Sequence, residues 1–107
     1  MNIDQVLTFL DLVETKSFNT TAEKMGLTQS TVSSRVRALE IDLGKRLFNR
    51  SRAGTNLTTA GVRFVHHARA MQQEWNEAQR SVQAADNFSH SLRIGVQSDI
   101  ATSTIGD

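Results

Sequence analysis

The sequence contains no cysteine and no proline. The first absence excludes a disulfide framework and any cysteine-ligated metal site. The second suits long uninterrupted helices and argues against a proline-rich linker. Aromatic residues are scarce at 6%, and the apolar share is 38%, thin but adequate for a small helical core. No uncharged apolar run approaches the roughly 20 residues of a membrane span. The opening Met1-Asn2-Ile3-Asp4 has neither a basic n-region nor an apolar h-region, so it does not read as a signal peptide. The expectation is a soluble, cytoplasmic chain. At 107 residues it has room for one small domain and an extension.

The net charge is only +1, but the charges are unevenly placed. Residues 1–34 hold Lys16 and Lys24 against Asp4, Asp11, Glu14 and Glu23, a net −2. Residues 35–69 hold Arg35, Arg37, Lys45, Arg46, Arg50, Arg52, Arg63 and Arg69 against Glu40 and Asp42, a net +6. Residues 70–107 hold Arg80 and Arg93 against Glu74, Glu77, Asp86, Asp99 and Asp107, a net −3. A basic middle between acidic flanks is the electrostatic footprint of a polyanion binder. A solvated charged face explains the charge alone equally well, so the positions of the side chains must decide.

Ile3, Val6, Leu7, Leu10 and Val13 recur at helical spacing, which predicts a helix over 3–15. Asn2 with Gln5 three residues on is a capping-box pattern. Phe18 reads as a core plug, and Asn19 as the cap of a short helix over Thr20–Met25. Gly26 ends that helix, Leu27 anchors the turn, and Thr28 caps a third helix from Gln29 to Leu43. Val32, Val36, Leu39 and Leu43 span about 60° of arc on it. Ser30, Ser34 and Arg37 fall on the opposite side, with Gln29, Thr31 and Ser33 on the shoulders. Helix, glycine turn, helix is the helix-turn-helix layout. The second helix opens with uncharged, hydrogen-bonding residues, Gln-Ser-Thr-Val-Ser-Ser, as a helix entering a major groove requires. An ordinary surface helix would more often carry Glu and Lys there.

Two short segments around Gly54 read as a hairpin. After a recognition helix such a hairpin is a wing, where Arg50 and Arg52 would meet phosphates or a minor groove. Thr58 then caps a long helix expected over Thr59 to Ala85. On it Phe64, Ala68, Met71, Trp75, Ala78, Val82 and Ala85 repeat at alternating intervals of four and three, a coiled-coil seam. Such a helix runs roughly 40 Å, too long for one small domain to cover, and dimerisation is the better reading. Asp86–Ser91 is polar and breaks the heptads. Leu92-Arg93-Ile94-Gly95-Val96 reads as a short strand without partners. The expected organisation is a winged helix-turn-helix domain over 1–58, a linker and dimerisation helix over 59–85, and a hinge with an orphan strand over 86–107. The fold class is mainly α.

The assembled pattern resembles the N-terminal part of LysR-type transcriptional regulators. The resemblance is carried by Phe9-Leu10, Ser17-Phe18, Ala22-Glu23, Leu27-Thr28-Gln29-Ser30 and Val32-Ser33. It continues through Arg37-Ala38-Leu39-Glu40, Leu43-Gly44, Leu47-Phe48-Asn49-Arg50 and Leu57-Thr58-Thr59-Ala60-Gly61. It covers residues 1 to about 97, and implies that Leu92–Val96 begins an effector-binding α/β domain lying almost wholly outside this chain. In the family an arginine commonly follows Ser33, where this chain has Ser34 and then Arg35. A wing arginine is frequent where it has Ala53. Arg35 or Arg37, and Arg52, are the expected substitutes.

The leading expectation is sequence-specific binding of double-stranded DNA by a homodimer, in a bacterial transcription regulator. Gln29, Ser30, Thr31, Ser34 and Arg37 are the candidates for base edges. Ser33, Arg35, Arg50 and Arg52 are the candidates for backbone or wing contacts. The alternative is a winged-helix protein-interaction module that dimerises through the long helix without specific DNA binding. A higher oligomer is left open for a full-length parent. No enzyme is expected. His66 and His67 are adjacent, so on a helix they point about 100° apart and form no i, i+4 zinc pair. No metal, cofactor or membrane partner is foreseen. Ser98 and Thr102 would stand where the family lines its effector cleft. Without the opposing wall, no small-molecule effector is expected for this chain.

Overall fold

The computed structural model describes residues 1–51 and 54–92. Helix α1 (Ile3–Thr15) starts on the expected capping box. Asn2 Oδ1 accepts the Gln5 N–H at 2.9 Å, and Gln5 Oε1 accepts the Asn2 N–H at 3.2 Å. Its inner face buries Val6, Phe9, Leu10 and Leu12. Lys16 closes the helix in the left-handed region, its N–H on the Leu12 carbonyl at 2.8 Å.

Helix α2 (Phe18–Met25) begins two residues earlier than the sequence suggests, capped by Ser17 instead of Asn19. Ser17 Oγ accepts the Thr20 N–H at 3.1 Å. Thr15 Oγ1 fixes the connection, taking the Ser17 N–H at 3.1 Å and meeting Thr21 Oγ1 at 2.8 Å. This start puts Phe18, Thr21 and Ala22 together on the buried face, which a start at Thr20 would not do for Phe18. Gly26 takes φ 68°, and Leu27 N–H reaches back to the Ala22 carbonyl at 2.8 Å. That is a Schellman stop, and Leu27 packs against the core.

Helix α3 (Gln29–Leu43) has the expected Thr28 cap and Gly44 stop. Val32, Val36 and Leu39 are buried, but Leu43 is 40% exposed. It opens onto a groove shared with Leu47, Ala60 and Phe64. Strands β1 (Phe48–Ser51) and β2 (Gly54–Leu57) pair antiparallel, Phe48 opposite Leu57 and Arg50 opposite Thr55. This is the expected wing.

Helix α4 (Thr59–Leu92) is longer than foreseen. Asp86–Ser91 breaks the heptads but holds no glycine or proline to break a helix. Leu92, expected to open a strand, is the last residue of α4. Residues 93–96, with Ser98 and Thr102, lie outside the described residues.

The chain divides after Trp75 into two units, Met1–Trp75 and Asn76–Asp107. The first is organised around aromatic rings. Phe9 of α1 meets Phe48 of β1 at 5.3 Å between centroids and Phe64 of α4 at 5.0 Å, edge to face. Phe18 of α2 meets Phe48 at 6.4 Å. Four elements are thereby tied through four rings, at separations where aromatic pairs attract beyond their buried area. Gly61 lets α4 come close: a Cβ there would fall on the Leu47 carbonyl oxygen and crowd Leu57. Thr58 clamps the same junction. Its N–H donates to the Leu47 carbonyl at 2.9 Å and its hydroxyl to the Arg46 carbonyl at 2.6 Å, while Oγ1 accepts the Gly61 N–H at 3.0 Å. In the second unit, the described side chains of α4, 76–84, are exposed.

Candidate nucleic-acid interface

Burying Val32, Val36 and Leu39 turns the opposite side of α3 outward. Gln29, Ser30, Ser34 and Arg37 are exposed there. They line one concavity of about 470 Å³ with Ser33 and Arg50. The wing supplies Arg50 because side chains alternate along a strand. Phe48 points into the core, and Arg50, two residues on, shares that face. Its guanidinium carbon lies 3.6 Å from the Phe18 ring centroid. One terminal nitrogen donates to Ser33 Oγ at 2.9 Å. Among the described residues no carboxylate forms an ion pair with Arg37 or Arg50.

Two candidates, Arg35 and Thr31, are placed otherwise. Arg35 turns back to α1, donating to Thr8 Oγ1 at 3.2 Å, and Thr8 Oγ1 donates in turn to the Asp4 carbonyl at 2.7 Å. Arg35 thus ties α3 to the core and stands apart from the concavity. Thr31 is half-buried in the helix cap, its hydroxyl 2.9 Å from that of Thr28. Arg52 and Ala53 lie outside the described residues.

Glu40 was read as a charge and as part of the family pattern, and the structure shows it joining α3 to the start of the wing. Its Oε2 accepts the Leu47 N–H at 2.8 Å and the Phe48 N–H at 3.4 Å, with Arg46 Nε at 3.9 Å. The N–H groups of Leu47, just before β1, and Phe48, its first residue, are thus bonded from the last turns of α3, which ties helix and wing together. The only sequence signal was an acid near a helix C-terminus, where the helix dipole disfavours it.

The expected dimer seam divides by burial. Phe64 and Ala68 are 6% and 0% exposed in their own domain core, so their surface is already covered. Met71 packs partly against that core. Trp75 is 41% exposed. In the second unit Ala78 is exposed and Val82 is 62% exposed. The Ala85 side chain lies outside the described residues. His66 and His67 are both exposed. Among the described residues no three His, Asp or Glu side chains gather as metal ligands, and no helix is long and apolar enough to cross a membrane.

A helix-turn-helix pair with a charged wing beside the outer face of its second helix defines a winged helix-turn-helix domain of the DNA-binding class. The family described as bacterial regulatory helix-turn-helix protein, lysR family, matches residues 3–62. The chain belongs to this LysR family. The HTH-type transcriptional regulator HdfR of Salmonella newport (strain SL254) is 40% identical over 82 residues, covering 77% of this chain and 30% of the relative. HdfR of Salmonella agona (strain SL483) matches equally. The chain therefore spans under a third of the length of these relatives. The crystal structure of the CbnR_DBD-DNA complex has a TM-score of 0.75 and 29% identity, over 80% of this chain and 99% of that one. The BenM_DBD complex with catB site 1 DNA has a TM-score of 0.75 over 80% of this chain and 97% of that one, at 23% identity. That last likeness concerns the fold alone.

Proposed function

We propose that the chain binds double-stranded DNA sequence-specifically, as a homodimer, in the regulation of bacterial transcription. The observation that carries this reading is the shared concavity of α3 and the wing. There four exposed polar side chains, Gln29, Ser30, Ser34 and Arg37, adjoin the guanidinium of Arg50. Gln29, Ser30, Ser34 and Arg37 would face base edges in a major groove, where a guanidinium can bond a guanine in two places. Arg50 would meet a backbone phosphate. The similarity to the CbnR domain, solved as a DNA complex, supports DNA binding. The partly exposed Trp75 and the exposed Val82, at heptad spacing on α4, would join two copies, with Ala78 between them. The reading assigns the domain no catalytic step and places it in the cytoplasm with its DNA.

The test is selection of bound sequences from random duplexes by the purified chain, followed by competition with unrelated DNA. A recovered, partly palindromic consensus that resists competitor is expected. A protein-interaction module would give no consensus.

A further inference from the structure

Arg50 belongs to the wing, yet both of its contacts are on helices. Its guanidinium lies over the Phe18 ring at 3.6 Å and donates to Ser33 Oγ at 2.9 Å. Phe18 is 7% exposed and is held edge-on by Phe48. Phe48 is in turn the strand residue whose inward direction Arg50 shares. A guanidinium is planar, stacks on aromatic faces and carries five N–H donors around its edge. Stacking covers one face of the plane and leaves the edge open. Ser33 occupies one donor, and a neutral hydroxyl cancels no charge. The side chain is thus held in place while its charge and its remaining donors stay free. An arginine already ordered loses less rotamer freedom on meeting a phosphate than one that must be ordered at that moment.

Ser33 differs from its neighbours on α3. Ser30 and Ser34 are exposed, whereas Ser33 is half-buried with its hydroxyl engaged by the wing. We propose that Ser33 is a positioning residue acting through Arg50, not a DNA contact in its own right. With Phe18 it sets the guanidinium at the edge of the α3 concavity, ready for a backbone phosphate, so that wing and recognition helix engage DNA together. This rests on the DNA-binding reading above and adds to it how one of its charges is aimed.

The test uses the full chain and the best duplex recovered by selection. Affinities of the wild type, Ser33→Ala, Arg50→Ala and the double variant are measured across a range of salt. Arg50→Ala is expected to weaken binding roughly tenfold or more and to make the salt slope shallower by about one unit per subunit engaged. Ser33→Ala is expected to weaken binding about three- to tenfold with the slope unchanged, because no phosphate contact is lost. Ser33→Thr, which keeps the hydroxyl, should restore affinity. In the Arg50→Ala background, Ser33→Ala should change nothing further. Phe18→Leu, checked for folding by circular dichroism, should follow the Ser33→Ala pattern.

A Ser33→Ala loss that persists undiminished without Arg50 means that Ser33 touches DNA itself and overturns the proposal. So does a Ser33→Ala variant that binds like wild type. Neither result disturbs the DNA-binding reading. A wild-type chain with no site preference would bring down both.

Discussion

Helices α3 and α4 carry apolar stripes of similar regularity and put them to different use. On α3 the stripe is consumed within the domain, since Val32, Val36 and Leu39 are all buried. What remains outward is polar and small. On α4 the stripe begins inside, at Phe64 and Ala68, and continues as exposed apolar surface at Trp75 and Val82. A stripe in sequence identifies a face, but what lies opposite decides its partner. The aromatic cluster of Phe9, Phe18 and Phe48 reaches Phe64 and covers the start of α4. On the proposed function, the outer side of α3 would offer hydrogen bonds to a polar groove, and the partly exposed Trp75 of α4 would meet the same surface of a second copy.

The sharpest way to break this contrast is to cut both stretches of α4. Phe64→Ala removes a ring packed edge to face on Phe9 and should cost about 3–5 kcal/mol of unfolding free energy. Chemical denaturation reads this directly. Measured at concentrations where the chain is monomeric, Trp75→Ala, at a side chain 41% exposed, should cost clearly less. Equal losses would mean that both stretches belong to the monomer core. Trp75→Glu should instead act on association, removing on the order of 2–3 kcal/mol per subunit of tryptophan burial and bringing like charges together. Sedimentation should then find monomers at micromolar concentration, and an unchanged dimer mass would place the interface elsewhere.

On α3 the expected effects are smaller and fall on binding. Arg37→Ala should lose about 1–3 kcal/mol on the best site and much less on random DNA, with the melting temperature unchanged. Equal losses on both would reassign Arg37 to phosphate. Arg35→Ala, two residues away, should show the reverse profile. Losing the bond to Thr8 should cost about 1 kcal/mol of stability, leaving sequence preference intact.

The contrast also explains what could be read from the sequence. Local chemistry was legible. Asn2 with Gln5, Thr28, Gly26 and Gly44 stop and start helices through partners within a few residues, and each behaves as its spacing implies. The outward face of α3 followed from the same periodicity. The features that went unread depend on distant partners. Ser17 displaces Asn19 as a cap because Phe18 must reach the aromatic cluster. Arg35 turns inward to a threonine 27 residues earlier. Glu40 serves a strand that begins after the helix has ended. Gly61 is required by a carbonyl of another segment, with nothing in its own helix to announce it. For α4 the heptad pattern was sound as a helix signal. It could not tell a partner within the chain from a second copy, and a break in heptads was mistaken for a break in the helix.

The most direct test of the DNA-binding account is the salt dependence of affinity for the selected duplex. If each subunit neutralises three or four phosphates, a dimer neutralises about six to eight, and log affinity should fall against log salt with a slope of roughly −5 to −7. The selected duplex should also outcompete unrelated DNA throughout that range. A slope near zero, or identical affinities for the selected and unrelated duplexes, would contradict it.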